Sequence, residues 1–161
     1  RRDGLTRMAA DKLKILILCT GNSCRSQMAE GWAKALKADR VEVWSAGTAA
    51  KGLDPRAVAV MAEAGVDISS HSSKNVDAVI TIPFDYVVTV CGHARENCPF
   101  FPGRAKIVHR GFEDPPLLAI GAASEEEALS HYRRIRDEIR AFVATIPESL
   151  VEMDSTGFHL G

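Results

Sequence analysis

The chain has 161 residues, 46% hydrophobic and 25% charged, an ordinary composition for one soluble domain with a real core. Its formal net charge of -1 excludes a sequence-wide positive field that would draw nucleic acid or an anionic membrane. The longest apolar run, Ile15 to Cys19, is far too short to cross a bilayer, and no signal peptide is visible, so a cytoplasmic location is expected.

Residues 1–12 read as a disordered arm or remnant, with Met8 as a native start. Lys14 to Cys19 is a dense aliphatic run, the pattern of a buried parallel strand. Arg25 to Lys37 places Met28, Ala29, Trp32, Ala33 and Leu36 on one helical face. Val41 to Ala46 alternates as a second strand. Asp54-Pro55 starts a helix that Gly65 closes. Tyr86 to Val90 reads as a third strand leading into Cys91, and Ala105 to His109 as a weaker fourth. Ser124 and Glu127 form a capping box. The helix they open carries Leu129, Tyr132, Ile135, Ile139, Phe142 and Val143 at core spacing. Strand alternating with helix predicts a three-layer α/β domain over 13–147, about four parallel strands with helices on both faces. The tail, 148–161, shows little periodicity and is expected to be loosely held.

Four cysteines occur: Cys19, Cys24, Cys91 and Cys98. In a chain of this size without an export signal they point to redox or catalytic use rather than to disulfide staples.

Cys19-Thr20-Gly21-Asn22-Ser23-Cys24-Arg25-Ser26 joins the first strand to the first helix. The carboxyl end of a parallel strand is where α/β folds bind ligands. Small residues let successive backbone N–H groups form a concave nest for an anion. The following helix adds its amino-terminal partial charge, and Arg25 adds a planar fork for two oxygens. The same features favour a thiolate, so Cys19 is expected to ionise at neutral pH and act as a nucleophile. The plainer alternative is a buried structural cysteine beside an ordinary turn. Gly21, Asn22 and the flanking serines at this junction argue against it.

The run C-T-G-N-S-C-R-S-Q-M-A-E-G-W resembles the signature of the low-molecular-weight protein tyrosine phosphatase superfamily, and within it the arsenate reductase branch. The resemblance extends from about Leu13 to Ile146 and implies a low-molecular-weight phosphatase-like fold. It implies Cys19 as nucleophile, Asn22 as keeper of the loop's shape, Arg25 as oxyanion ligand and Ser26 as support for the thiolate. Cys24 reads as a packed residue rather than a reactant.

In Phe112-Glu113-Asp114-Pro115-Pro116, read as a Pro-rich loop, an acid can lean over the anion site and protonate a leaving oxygen. The resemblance implies Asp114 for this role. Glu113 is an alternative, as is a merely solvated carboxylate. Phosphatases of the superfamily usually follow Asp-Pro with an aromatic residue that stacks on phosphotyrosine. Here Pro116, Leu117 and Leu118 follow, which favours a small inorganic anion.

Cys91 to Pro99 decides between the chemistries. A phosphatase needs one thiol; a reductase needs two electrons and hence a thiol pair. The spacing of Cys91 and Cys98, with Asn97-Cys98-Pro99, resembles thioredoxin-coupled arsenate reductases. That resemblance implies a Cys19/Cys91/Cys98 disulfide cascade, a thioredoxin-type reductant, and no metal or organic cofactor. Unrelated core and loop cysteines, or a zinc site with His93, are alternatives, although zinc-type spacing is lacking. Competing functions are an aryl phosphate phosphatase, which also predicts a weak side activity here, and a non-catalytic arsenical sensor. The resemblance further implies a monovalent cation site built from Asn22, Glu30, Ser45 and Ser72, in which Lys74 replaces a carboxylate. Its ammonium is expected to neutralise Glu30, or else to be solvated.

Overall fold

The computed structural model describes residues 12–103 and 105–155; the expected arm, apart from Lys12, and the tail beyond Ser155 lie outside the described residues. Strands β1 (Leu13–Cys19), β2 (Val41–Gly47), β3 (Tyr86–Thr89) and β4 (Lys106–His109) form one parallel sheet in the order β2-β1-β3-β4. Helices α1 (Arg25–Leu36), α2 (Pro55–Glu63), α3 (Gly92–Glu96), α4 (Pro115–Ile120), α5 (Glu125–Val143) and α6 (Glu148–Ser155) flank it. Among the described residues no helix is long and apolar enough to cross a membrane.

The central strands are apolar without alternation because both of their faces are covered. Ile15 to Leu18 and Val87 and Val88 are all buried. Helix α1 presents Met28, Ala29, Trp32 and Ala33 to the core, and α5 presents Tyr132, Ile135, Ile139 and Val143. Asp54 caps α2 through Arg56 N at 2.9 Å, and Gly65 ends that segment at φ +88°. Ser124 Oγ accepts from Glu127 N at 3.1 Å, one half of the expected capping box.

Two segments are more ordered than the sequence predicts. The Pro-rich stretch after Asp114 is a helix, α4, because two prolines are compatible with the first helical turn, whose N–H groups need no partner. The start of the tail is also a helix, α6. Its Leu150 is fully buried and Asp154 pairs with Lys106 at 3.3 Å, so α6 packs against the edge strand β4. Two apolar contacts, Leu150 and the partly buried Met153, are too few to register as a period in the sequence.

The strand order decides where chemistry occurs. Beside β1 on one side lies β2 and on the other β3, so the chain winds both ways from the centre. The crevice at this switch point lies beyond the carboxyl ends of β1 and β3. Leu18 is in register with Thr89, and Val90 N donates to Leu18 O at 3.0 Å. Cys19 and Cys91 therefore emerge from adjoining strand ends.

Candidate active site

The loop after β1 is held from behind. Thr48 N, Ala49 N, Lys51 N and Asp54 N donate to the carbonyls of Cys19, Thr20, Gly21 and Ser23, at 2.8 to 3.1 Å. Across a trans peptide the N–H points opposite to the C=O. The amides of Thr20, Gly21, Asn22 and Cys24 are thus directed to the other side, as a nest of donors. Gly47 makes this backing possible: a Cβ there would meet Thr20 O at 2.4 Å.

Asn22 is fully buried and left-handed, at φ +46°. Its Nδ2 donates to Ser26 Oγ at 2.8 Å and Ser45 Oγ at 2.9 Å. Its Oδ1 accepts from Lys74 N at 2.9 Å and Gln27 Nε2 at 3.1 Å. Four bonds hold an otherwise strained turn. Cys24 is buried at the helix cap, and burial followed by the nearby Asp54 charge pushes its thiol up.

Arg25 reaches across to the segment after β4. Its Nη1 donates to Phe112 O at 2.9 Å, and Nη2 lies 3.6 Å from Asp114 Oδ1. Its Nε is buried and has no hydrogen-bond partner among the described residues. Asp114 occupies the cap position of α4 but makes no cap hydrogen bond, so its carboxylate faces Arg25 instead. Cys19, Thr20, Ser23, Arg25 and Asp114 line a cavity of about 430 Å³. Glu113 points elsewhere, bonded to Arg134 at 2.7 Å.

Cys91 joins this group from β3. Its Sγ lies 3.2 Å from Thr20 Oγ1, accepts from Ala94 N at 3.4 Å, and hydrogen-bonds with Cys19. The two sulfurs titrate as a pair. That bond, then the burial of Cys19, pushes the Cys19 thiol well up against the pull of Arg25. The same bond, with help from Thr20 and Ala94, brings Cys91 down to about 5 although burial opposes it. The sequence predicts the thiolate on Cys19. Cys91 beside it competes for that charge: the pairing of the two sulfurs raises the Cys19 thiol and lowers that of Cys91. Cys98 is half-buried beyond α3, and burial lifts it to about 11. All four cysteines are free thiols.

Of the two expectations for Lys74, the structure goes against the neutralising of Glu30 and agrees with the solvated lysine. Its Nζ donates to Ser72 O at 3.3 Å, whereas the ammonium on Glu30 belongs to Lys34, at 2.6 Å. Glu30 further accepts from Ser45 Oγ at 2.5 Å. Residues the sequence did not single out are Thr20 as partner of Cys91, Gly47 as the backing glycine, and Lys51 and Asp54 in the cavity lining.

A cysteine at the end of the first strand, an anion nest and an arginine, on a sheet of this order, define a class of cysteine-dependent oxyanion enzymes. Residues 14–153 match the low molecular weight phosphotyrosine protein phosphatase family, and the chain belongs to it. Within that family it is similar to an arsenate reductase of Halalkalibacterium halodurans, 46% identical over 86% of this chain and 98% of that protein. It is also similar to an arsenate reductase of Bacillus subtilis, 50% identical over 78% of this chain and 88% of that one. Among solved structures, an arsenate reductase in the phosphate binding state superposes with a TM-score of 0.64. It is 30% identical, over 87% of this chain and 97% of the other.

Proposed function

We propose that this protein reduces arsenate to arsenite with electrons drawn from its own thiols and replenished by a dithiol donor of the thioredoxin type. The observation that carries the reading is the contact of Cys91 with Cys19 and Thr20 at the anion loop. A hydrolase has no use for a second sulfur there; a reductase requires one.

Arsenate enters the nest of amides and is gripped by Arg25. Cys19 passes its proton to Cys91 and attacks arsenic, while Asp114 protonates the departing oxygen, which leaves as water. Cys91 gives up that proton to solvent and, again as thiolate, attacks Cys19 Sγ. The arsenic–sulfur bond breaks with its electron pair on arsenic, so arsenite departs and Cys19–Cys91 forms. Cys98 then attacks Cys91 Sγ, releasing Cys19 and leaving Cys91–Cys98 for the external dithiol. The electrons thus come from thiols at every step.

A phosphatase is the second reading, favoured by the fact that Cys19, Arg25 and Asp114 suffice for ester cleavage and are assembled here. Incubation with arsenate and a thioredoxin system separates the readings. Many arsenites released per enzyme supports the reductase, and stoichiometric capture of arsenite supports a sensor. Ester cleavage without arsenate turnover supports a phosphatase.

A further inference from the structure

The proposed chemistry leaves one cavity-lining cation unused. Lys51 is anchored to the anion loop by its own amide, which donates to Gly21 O at 3.0 Å. Its side chain then lies against the loop at Gly21 while remaining exposed. A Cβ added to Gly21 would meet Lys51 Cε at 2.7 Å, Cγ at 2.9 Å and Cδ at 3.3 Å. Gly21 therefore leaves the shallow groove in which the lysine stem lies. Lys51 lines the same cavity as Cys19 and Arg25. Among the described residues its ammonium has neither a hydrogen bond nor an ion pair.

A tetrahedral oxyanion attacked by Cys19 has three oxygens toward the loop amides and Arg25. Its fourth faces away from the sulfur, toward the rim. In an inorganic oxyanion that oxygen carries a hydroxyl or a charge. In a phosphate monoester it carries the organic group and is uncharged. We propose that Lys51 binds the rim-facing oxygen and so selects inorganic arsenate or phosphate over organic esters, a refinement that rests on the oxyanion chemistry proposed above. A lysine suits this place because its compact ammonium on a flexible stem can reach the outer oxygen of the bound anion.

The test compares the intact protein with Lys51→Gln and Lys51→Arg, using inorganic phosphate as a non-reacting probe. The side chain is exposed, so both variants should keep the melting temperature. Calorimetric titration of Lys51→Gln should show phosphate affinity reduced roughly three- to tenfold, as for a partly screened charge contact. The KM for arsenate should rise by a similar factor with kcat little changed, and Lys51→Arg should restore both. The KM for an aryl phosphate should stay put. Equal phosphate affinity in wild type and Lys51→Gln overturns the assignment, as does an equal weakening of the ester. If wild type itself binds no phosphate, the underlying oxyanion chemistry fails, and Lys51 with it.

Discussion

Thr20 Oγ1 lies 3.2 Å from Cys91 Sγ, although the two residues are 71 positions apart in the chain. Thr20 belongs to the loop that follows β1 and Cys91 to the end of β3, so the contact exists because those strands are neighbours. It brings the second sulfur of the proposed cascade to the nucleophile before any substrate is handled.

The first prediction concerns the paired titration of these sulfurs. Cys91 is held down at about 5, so one thiolate should be present above that pH and be lost as pH falls through it. Cys19 is pushed up chiefly by its bond to Cys91, so Cys91→Ala should move the Cys19 thiol downward. Ultraviolet thiolate absorbance against pH measures both. A wild-type protein with no thiolate below pH 8, near the ordinary cysteine value of about 8.5, would refute the paired titration.

Removing either later cysteine should divide the two chemistries. Cys91→Ser and Cys98→Ser should stop repeated arsenate turnover yet spare hydrolysis of a small aryl phosphate, because water, not a thiol, releases the phosphoryl adduct. Cys19→Ser should lower both activities by about 10³-fold or more. Parallel loss of both activities in the Cys91 or Cys98 variants would mean a structural role for those thiols.

Movement of α3 is a third expectation. Cys91 and Cys98 are seven positions apart, and Gly92–Glu96 is helical between them. A regular helix through all seven steps, at a rise of 1.5 Å per residue, would hold their Cα atoms about 10 Å apart, beyond the roughly 7 Å limit for a disulfide. Burial also keeps Cys98 protonated. The helical turn is therefore expected to open when Cys91–Cys98 forms, with Gly92 relaxing one end and Pro99 limiting helix growth at the other. Amide exchange across Gly92 to Asn97 should be much faster in the oxidised protein. Equal protection in both redox states would exclude the switch.

A fourth prediction follows from Glu30. With Lys34 Nζ at 2.6 Å and Ser45 Oγ at 2.5 Å, the carboxylate already has its counter-charge. Replacing sodium by potassium should therefore leave turnover and melting temperature nearly unchanged. Lys34→Ala should cost about 1–3 kcal/mol by leaving a buried charge unpaired. A large potassium-specific gain in the wild type would contradict the pairing.

The legible part of this protein was local. The aliphatic run of β1, the small-residue loop and the amphipathic α1 and α5 are written in consecutive residues, and they give the sheet class and the cluster around Cys19. The link from Cys91 to Thr20 is not written that way, since it depends on which strands adjoin. The opposed shifts of the two thiols depend in turn on that link. Two details were available and passed over: Glu30 and Lys34 stand four apart on one helix, the spacing of an ion pair, and the prolines after Asp114 suit a helix start. Lys51 gives no sequence signal, because its place is set by the absent side chain of Gly21.

The most direct test of the cascade is a single turnover of arsenate by Cys98→Ser, quenched in acid, with arsenite counted and disulfides mapped by mass spectrometry. With Cys98 absent the sequence should stop after its first disulfide. The account predicts about one arsenite per enzyme and a Cys19–Cys91 bond, as the one-to-one stoichiometry of thiol–disulfide exchange requires. Arsenite released with Cys19 and Cys91 still free, or a bond from Cys19 to Cys24 in place of Cys91, would contradict it.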